Sequence, residues 1–204
     1  MYKLPYFTAG NQDEVLEFMH QNTFVTLVGF DGEFPVATQV PVKTVVSESI
    51  IKLIGHVMTK TDHCSAFAKN PNVLAIFTGA HAYISASVYE TPQSASTWNY
   101  KTVQAKGMIK LLSNEETYPV IKDLTDKYEN PHTSAAAFNK MDETYIQKHL
   151  KAITGFEIAV TNIDHVFKMS QNHSHQNKES IVAYLEKSDD NLAHEVANEM
   201  KKNL

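Results

Sequence analysis

Thr23-Phe24-Val25-Thr26-Leu27-Val28-Gly29-Phe30, then Asp31-Gly32, then Pro35-Val36-Ala37-Thr38-Gln39-Val40-Pro41-Val42-Lys43-Thr44-Val45-Val46 is the stretch that decides the fold. The first run alternates and is rich in β-formers, Asp31-Gly32 is a hairpin signal, and the second run resumes as strand. Working outward, residues 50–57 read as the next strand, 73–78 as a buried strand ended by Gly79, and 82–88 and 97–112 as further strand material. Gly107 marks a bulge or a close approach. Upstream, Asn11-Gln12-Asp13-Glu14 has capping-box spacing and opens a helix over about 12–21. Thr61 or Asp62 caps a short helix that stops before Asn70-Pro71, and Ser113-Asn114-Glu115-Glu116 opens another that runs to about Tyr128. Residues 142–153 read as a helix, 155–160 and 165–169 as strands, and the tail, about 177–202, as two helices.

The order is helix, four or five strands, helices, two strands, helices. Without regular β-α alternation a doubly wound parallel sheet is disfavoured. Strands clustered early and joined by hairpins predict a mainly β, α+β chain: a closed or nearly closed antiparallel barrel with peripheral helices. No repeat, linker or low-complexity run divides it, so residues 1–204 read as a single domain.

Composition narrows the function. Of 204 residues, 18 are basic and 23 acidic, for a net charge of -5, and every basic residue is lysine. Phosphate-backbone readers need clustered cations and favour the guanidinium fork, so direct nucleic-acid binding is not expected. The single cysteine, Cys64, cannot form an internal disulfide and reads as a small, partly buried residue in a reducing, cytoplasmic setting. The start, Met1-Tyr2-Lys3-Leu4-Pro5-Tyr6, lacks an apolar leader core, and no apolar run is long enough for a membrane span.

No glycine-rich phosphate loop and no nucleophile elbow occur. His173-Ser174-His175 lacks further ligands at metal spacing and reads as a solvated loop, so no metal site is expected. Two places carry chemistry. At residues 59–63 a strand end gives way to a helix start, where free N–H groups, Lys60 and the Thr59 and Thr61 hydroxyls can share an anion. Taken alone, this is more simply an ordinary Thr/Asp cap beside an exposed lysine. The second place is Ser96-Thr97-Trp98-Asn99-Tyr100, which holds the only tryptophan and suits a flat, polar-edged aromatic ligand. There the plainer alternative is a set of half-buried strand aromatics. One ligand could use both places, its phosphate at 59–63 and its ring near 97–100.

The same residues carry a resemblance. Met1-Tyr2 with Pro5, Gly55-His56-Val57, Asn70-Pro71, Phe77-Thr78-Gly79, Ala82-Tyr83-Ile84-Ser85, Thr97-Trp98-Asn99-Tyr100, Ala152-Ile153 with Gly155-Phe156-Glu157-Ile158, and Lys168-Met169-Ser170-Gln171-Asn172 occur in this order. The chain thereby resembles the PaiB-type family of FMN-binding negative transcriptional regulators. That resemblance implies an antiparallel Greek-key split β-barrel like that of the pyridoxine-phosphate oxidase and flavin reductase group. It also implies a homodimer with FMN at the subunit interface. Gln39 and Gln104 stand where many members have His, and Ala86 and Val88 replace the usual Pro and Trp.

Resemblance and chemistry together assign the site. Lys60, Thr61, Asp62 and His63 surround the phosphate, with Thr38, Gln39 and Val40 along the ribityl chain or ring edge. His56 and Val57 support that face, Trp98, Asn99 and Tyr100 close the ring pocket, and Lys168, Gln171 and Asn172 complete it. No general acid or base stands out, so redox chemistry would belong to the flavin, as in an FMN-dependent oxidoreductase. Two alternatives stand beside this: a PaiB-like regulator that acts without touching DNA, and a split barrel holding haem or the deazaflavin F420. The missing arginine disfavours F420, whose polyanionic tail wants cations. A partner copy is expected to cover the strand faces at 73–77 and 83–88.

Overall fold

The computed structural model describes residues 1, 4–48, 50–91, 93–202 and 204; Tyr2, part of the N-terminal resemblance, lies outside them. Helix α1 (Gln12–Gln21) precedes strands β1 (Phe24–Phe30), β2 (Pro35–Ser47) and β3 (Ile50–Met58). The β1–β2 turn uses four residues: Asp31 Oδ1 accepts the N–H groups of Glu33 and Phe34, each at 2.7 Å. Gly32, at φ +110°, takes the left-handed position. Helix α2 (Asp62–Lys69) leads to β4 (Asn72–Ile84) and, past a single 3₁₀ turn at Ala86–Val88, to β5 (Thr97–Leu111). Then follow α3 (Asn114–Tyr128), α4 (Glu143–Leu150), β6 (Ile153–Lys168), α5 (His175–Leu185) and α6 (Asn191–Lys201).

The six strands close into an antiparallel barrel in the order β1-β2-β3-β6-β5-β4, with β4 returning to β1. Leu27 faces Thr38 and Ala75, Val42 faces Gly55, and Gly55 faces Phe156. The period-two pattern then sorts β3: Ile51, Leu53, Gly55 and Val57 point inward, while Lys52, Ile54 and His56 point out.

Three expectations change. Gly79 does not end β4; the strand runs on to Ile84, and glycine is needed because a Cβ would sit 2.7 Å from the Phe18 ring. Residues 155–160 and 165–169 are one strand, since the intervening polar residues occupy solvent-facing or half-buried positions that need no apolar side chain. Helix α4 stops at Leu150, and Ile153 already belongs to β6. Gly107 is a close approach: a Cβ there would meet the Ala159 carbonyl oxygen at 2.4 Å.

The chain forms two compact units, and β4, β5 and β6 each contribute residues to both. The larger comprises residues 19–77 and 104–163. Its inward side chains Val25, Leu27, Val42, Leu53, Phe77, Phe156 and Ile158 are buried. On β4 Val73 and Ala75 are also buried, pointing into the barrel, while the outward-facing Leu74 and Ile76 are half-buried. Helix α3 is set by a capping box in which Ser113 and Glu116 satisfy each other's backbone N–H groups. Thr117 ties it to the barrel, accepting the Gly155 N–H at 2.9 Å.

The smaller unit comprises residues 1–18, 78–103 and 164–204. There α5 and α6 bury Ile181, Leu185, Val196 and Met200 against Ala82, Ile84 and Tyr89. Lys101 is held by Glu199 at 2.6 Å and Glu14 at 3.6 Å, over the Phe167 ring. Among the described residues no helix is long and apolar enough to cross a membrane.

Candidate functional site

In the larger unit, β3 ends at Met58 and the chain turns through 59–61 into α2. Thr61 is the N-cap: its Oγ1 donates to the Met58 carbonyl at 2.8 Å and accepts the Cys64 N–H at 3.4 Å. Asp62 Oδ1 accepts the His63 N–H at 2.7 Å and lies 3.2 Å from His63 Nδ1. His63 Nε2 is 3.0 Å from Thr61 Oγ1. The first turn is therefore capped from within, and the N–H of His63, read from sequence as open to an anion, is held by a carboxylate. Thr59 Oγ1 pairs with Thr154 Oγ1 at 2.9 Å. Lys60 is exposed and forms no ion pair among the described residues. Cys64 is buried with a free thiol.

Along β2, Gln39 is exposed and points out of the barrel, Thr38 is half-buried, and the Val40 side chain lies in the interior. On β3 the Val57 side chain is likewise interior. His56 faces outward, yet its Nδ1 is buried with no hydrogen-bond partner among the described residues. Burial holds the His56 imidazole below its ordinary range, which favours the neutral ring. A buried, unpaired nitrogen on the assigned face is an open valence that a ligand or water would satisfy.

In the smaller unit, Trp98 is 52 % exposed and stands on β5 beside Tyr83 and His81 of β4, with ring centroids 5.8 and 6.1 Å away. Three solvent-facing rings side by side form an aromatic ledge. Asn99 alternates to the opposite face. It is fully buried, its amide paired with Ser170 Oγ at 3.0 Å and Met200 Sδ at 3.4 Å. That side chain is spent inside the unit, so its assignment as a ring-pocket contact is replaced by a supporting role. It steadies Ser170, a buried residue at φ +59°, where a non-glycine backbone costs of order 1 kcal/mol.

Gln171 also serves the turn: it accepts the Met169 N–H at 2.8 Å and donates to the Phe167 carbonyl at 2.5 Å. Lys168 Nζ donates to Thr97 Oγ1 and sits 5.6 Å over the Phe7 ring. Tyr100 is half-buried and Asn172 exposed. The contacts of His81, Thr97 and Ser170 were not legible in the sequence because their partners lie across strands or 71 residues away. Only the β4–β5 register and the 168–172 turn bring them together. The Tyr89–His173 ring stack, with centroids 4.6 Å apart, has the same long-range origin.

Residues 1–162 match the model of the family described as "Putative FMN-binding domain". The chain belongs to this flavin-binding family. Over 204 residues, all of this chain and 98% of the other, it is 28% identical to "Protease synthase and sporulation protein PAI 2" of Bacillus subtilis (strain 168). Among solved structures it resembles the FAD and heme binding protein from Mycobacterium smegmatis, with TM-score 0.62 and 16% identity over 86% of this chain and 78% of that one. It resembles the flavocytochrome Anf3 from Azotobacter vinelandii at TM-score 0.62 and 10% identity, over 82% and 72% of the two chains. These likenesses establish the split-barrel fold.

Proposed function

We infer that this protein binds FMN as a homodimer; in the larger unit Lys60 and the α2 start serve the phosphate, and the smaller unit's Trp98 ledge is by itself suited to stacking on a flat ring. The observation that carries the reading is the family match over residues 1–162. Three local features support it: the uncommitted Lys60, the orphaned His56 Nδ1 and the exposed aromatic ledge. The donor set fits a phosphate once Asp62 releases the His63 N–H. Gln39, exposed on the outer face of β2, has an amide free to read a polar edge. Lys168, placed by Thr97, brings a cation to the smaller unit's contribution. A bound flavin supplies hydride or electron transfer; the residues named here bind, orient and exclude water.

Purified protein titrated with FMN is expected to quench flavin fluorescence at one flavin per chain and to scatter light at twice the monomer mass. A colourless monomer that leaves FMN fluorescence unchanged would overturn the reading.

Full-length similarity to the PAI 2 protein favours a regulatory role as a second reading. Such a role would run without DNA contact. The chain has no arginine, and Lys43, Lys52, Lys101, Lys110, Lys122, Lys201 and Lys202 are each ion-paired to a carboxylate. With seven of the 18 lysines paired and a net charge of -5, the chain carries no cation surplus to favour counterion release from a duplex. A gel-shift titration at about 150 mM salt is expected to show no sequence-specific complex; a salt-resistant one would mean that a basic surface forms on assembly.

A further inference from the structure

The outer face of the larger unit carries a cavity of about 220 Å³ between α3 and strands β2 and β3. Its walls are the side chains of Ile54, Pro119, Val120 and Leu124 with the backbone of Gly55, and Lys43, Asp123 and Lys127 stand at its edge. Residues 119, 120, 123, 124 and 127 share one face of the helix, as a period of 3.6 requires.

The hollow follows from how α3 is anchored. Near its start Thr117 is fully buried and bonded to the Gly155 N–H. At its end the Tyr128 hydroxyl pairs with Thr23 Oγ1 at 3.1 Å. From one anchor to the other the helix rises eleven residues, about 16 Å. Over that span the face toward the sheet offers only the short side chains of Val120 and Leu124 and the compact ring of Pro119. A helix pinned at both ends cannot settle closer to fill the gap.

The edge is charged unevenly. Lys43 Nζ meets Asp123 Oδ2 at 2.7 Å, so that pair is neutral. Lys127 has no carboxylate partner among the described residues; its Nζ lies 5.4 Å from the Tyr128 ring. The cavity thus presents an apolar floor with one surplus positive charge. It is separate from the residues given above to the phosphate: Ile54 and Lys60 are six residues of largely extended chain apart, about 20 Å.

We propose that this groove binds a small amphipathic monocarboxylate, its hydrocarbon body on Ile54, Val120 and Leu124 and its carboxylate at Lys127. The volume is roughly seven water volumes, which suits a short aliphatic chain and is too small for a drug-sized ligand. Removing that apolar floor from water drives entry, and charge complementarity selects the head group. The proposal does not depend on the flavin reading and is testable on the full-length chain whether or not flavin is bound; on β3, Ile54 of the groove shares the outward face with His56 two residues on.

Methyl NMR of Ile54, Val120 and Leu124 during titration with octanoate, 1-octanol and octylammonium provides the test. Octanoate is expected to shift these methyls in a saturable way, at least about threefold more tightly than octanol, with octylammonium weakest. Val120→Trp fills the groove and should abolish saturation with thermal unfolding unchanged. Lys127→Glu, on the surface, should weaken octanoate by at least about fivefold and remove its advantage over octanol. Absence of saturable shifts up to about 10 mM, a millimolar ceiling below which such small ligands are expected to register, would overturn the proposal. Equal binding of all three probes, or unchanged octanoate affinity in Lys127→Glu, would do the same.

Discussion

Lys60→Ala is expected to weaken FMN about ten- to a hundredfold while leaving riboflavin affinity nearly unchanged. Lys60 is exposed and uncommitted, one residue before the Thr61 cap of α2. A charge-assisted contact to a phosphate is among the stronger hydrogen bonds, and riboflavin has no phosphate to offer it. The neighbouring cap sharpens the test, because Asp62 places a carboxylate on the His63 N–H at the spot a phosphate would use. Asp62→Asn removes that repulsion and should tighten FMN by about two- to fivefold, the scale of an exposed charge pair, again without effect on riboflavin. Opposite shifts from the two residues that flank Thr61, confined to the phosphorylated ligand, cannot come from a damaged fold. Titrating both flavins against both variants by fluorescence quenching checks this. Equal losses for the two flavins would move the phosphate away from residues 59–63.

Phe156→Ala should cost about 3–5 kcal/mol of folding stability, the range for truncating a fully buried aromatic. Phe156 has no exposed surface, and on β6 it is the cross-strand partner of Gly55 on β3. A Cβ on Gly55 would fall 2.7 Å from the Phe156 ring, so the ring fills the space that a side chain at 55 would otherwise take. Truncation leaves that space empty. Substituting alanine at Gly55 to refill it fails, since its Cβ would also lie 2.8 Å from the Pro41 carbonyl oxygen, a backbone atom that cannot swing aside. The double variant Phe156→Ala/Gly55→Ala is therefore expected to be no more stable than Phe156→Ala alone. Urea unfolding followed by tryptophan fluorescence measures both. A loss below about 1 kcal/mol for Phe156→Ala would mean that the barrel collapses around the gap.

Much of the architecture was legible because its signals are local. The 23–46 hairpin, the helix over 12–21, the Thr61 cap and the Ser113 capping box each rest on residues within a few positions of one another. What misled was also local. Gly79 looks like a strand end, and the polar run between 160 and 165 looks like a break, because sequence shows a missing or polar side chain but not the neighbour that explains it. In the first case the neighbour is the Phe18 ring; in the second it is solvent.

The candidate site divides along the same line. Lys60 to His63 were assigned together because they adjoin in the chain, and the structure adds only that Asp62 and Thr61 already cap the helix. Trp98 and Asn99 also adjoin, yet strand alternation sends them to opposite faces, one 52 % exposed and the other fully buried. Composition and local pattern by themselves determined a mainly β, acidic, arginine-free chain with these strands and caps, because propensity and capping act over a few residues. Tertiary structure alone decided that Asn99 serves Ser170, that Lys168 is held by Thr97, and that α3 stands off the sheet over a groove. Each of those depends on contacts between distant residues, and their closure is set by the barrel register rather than by any local preference.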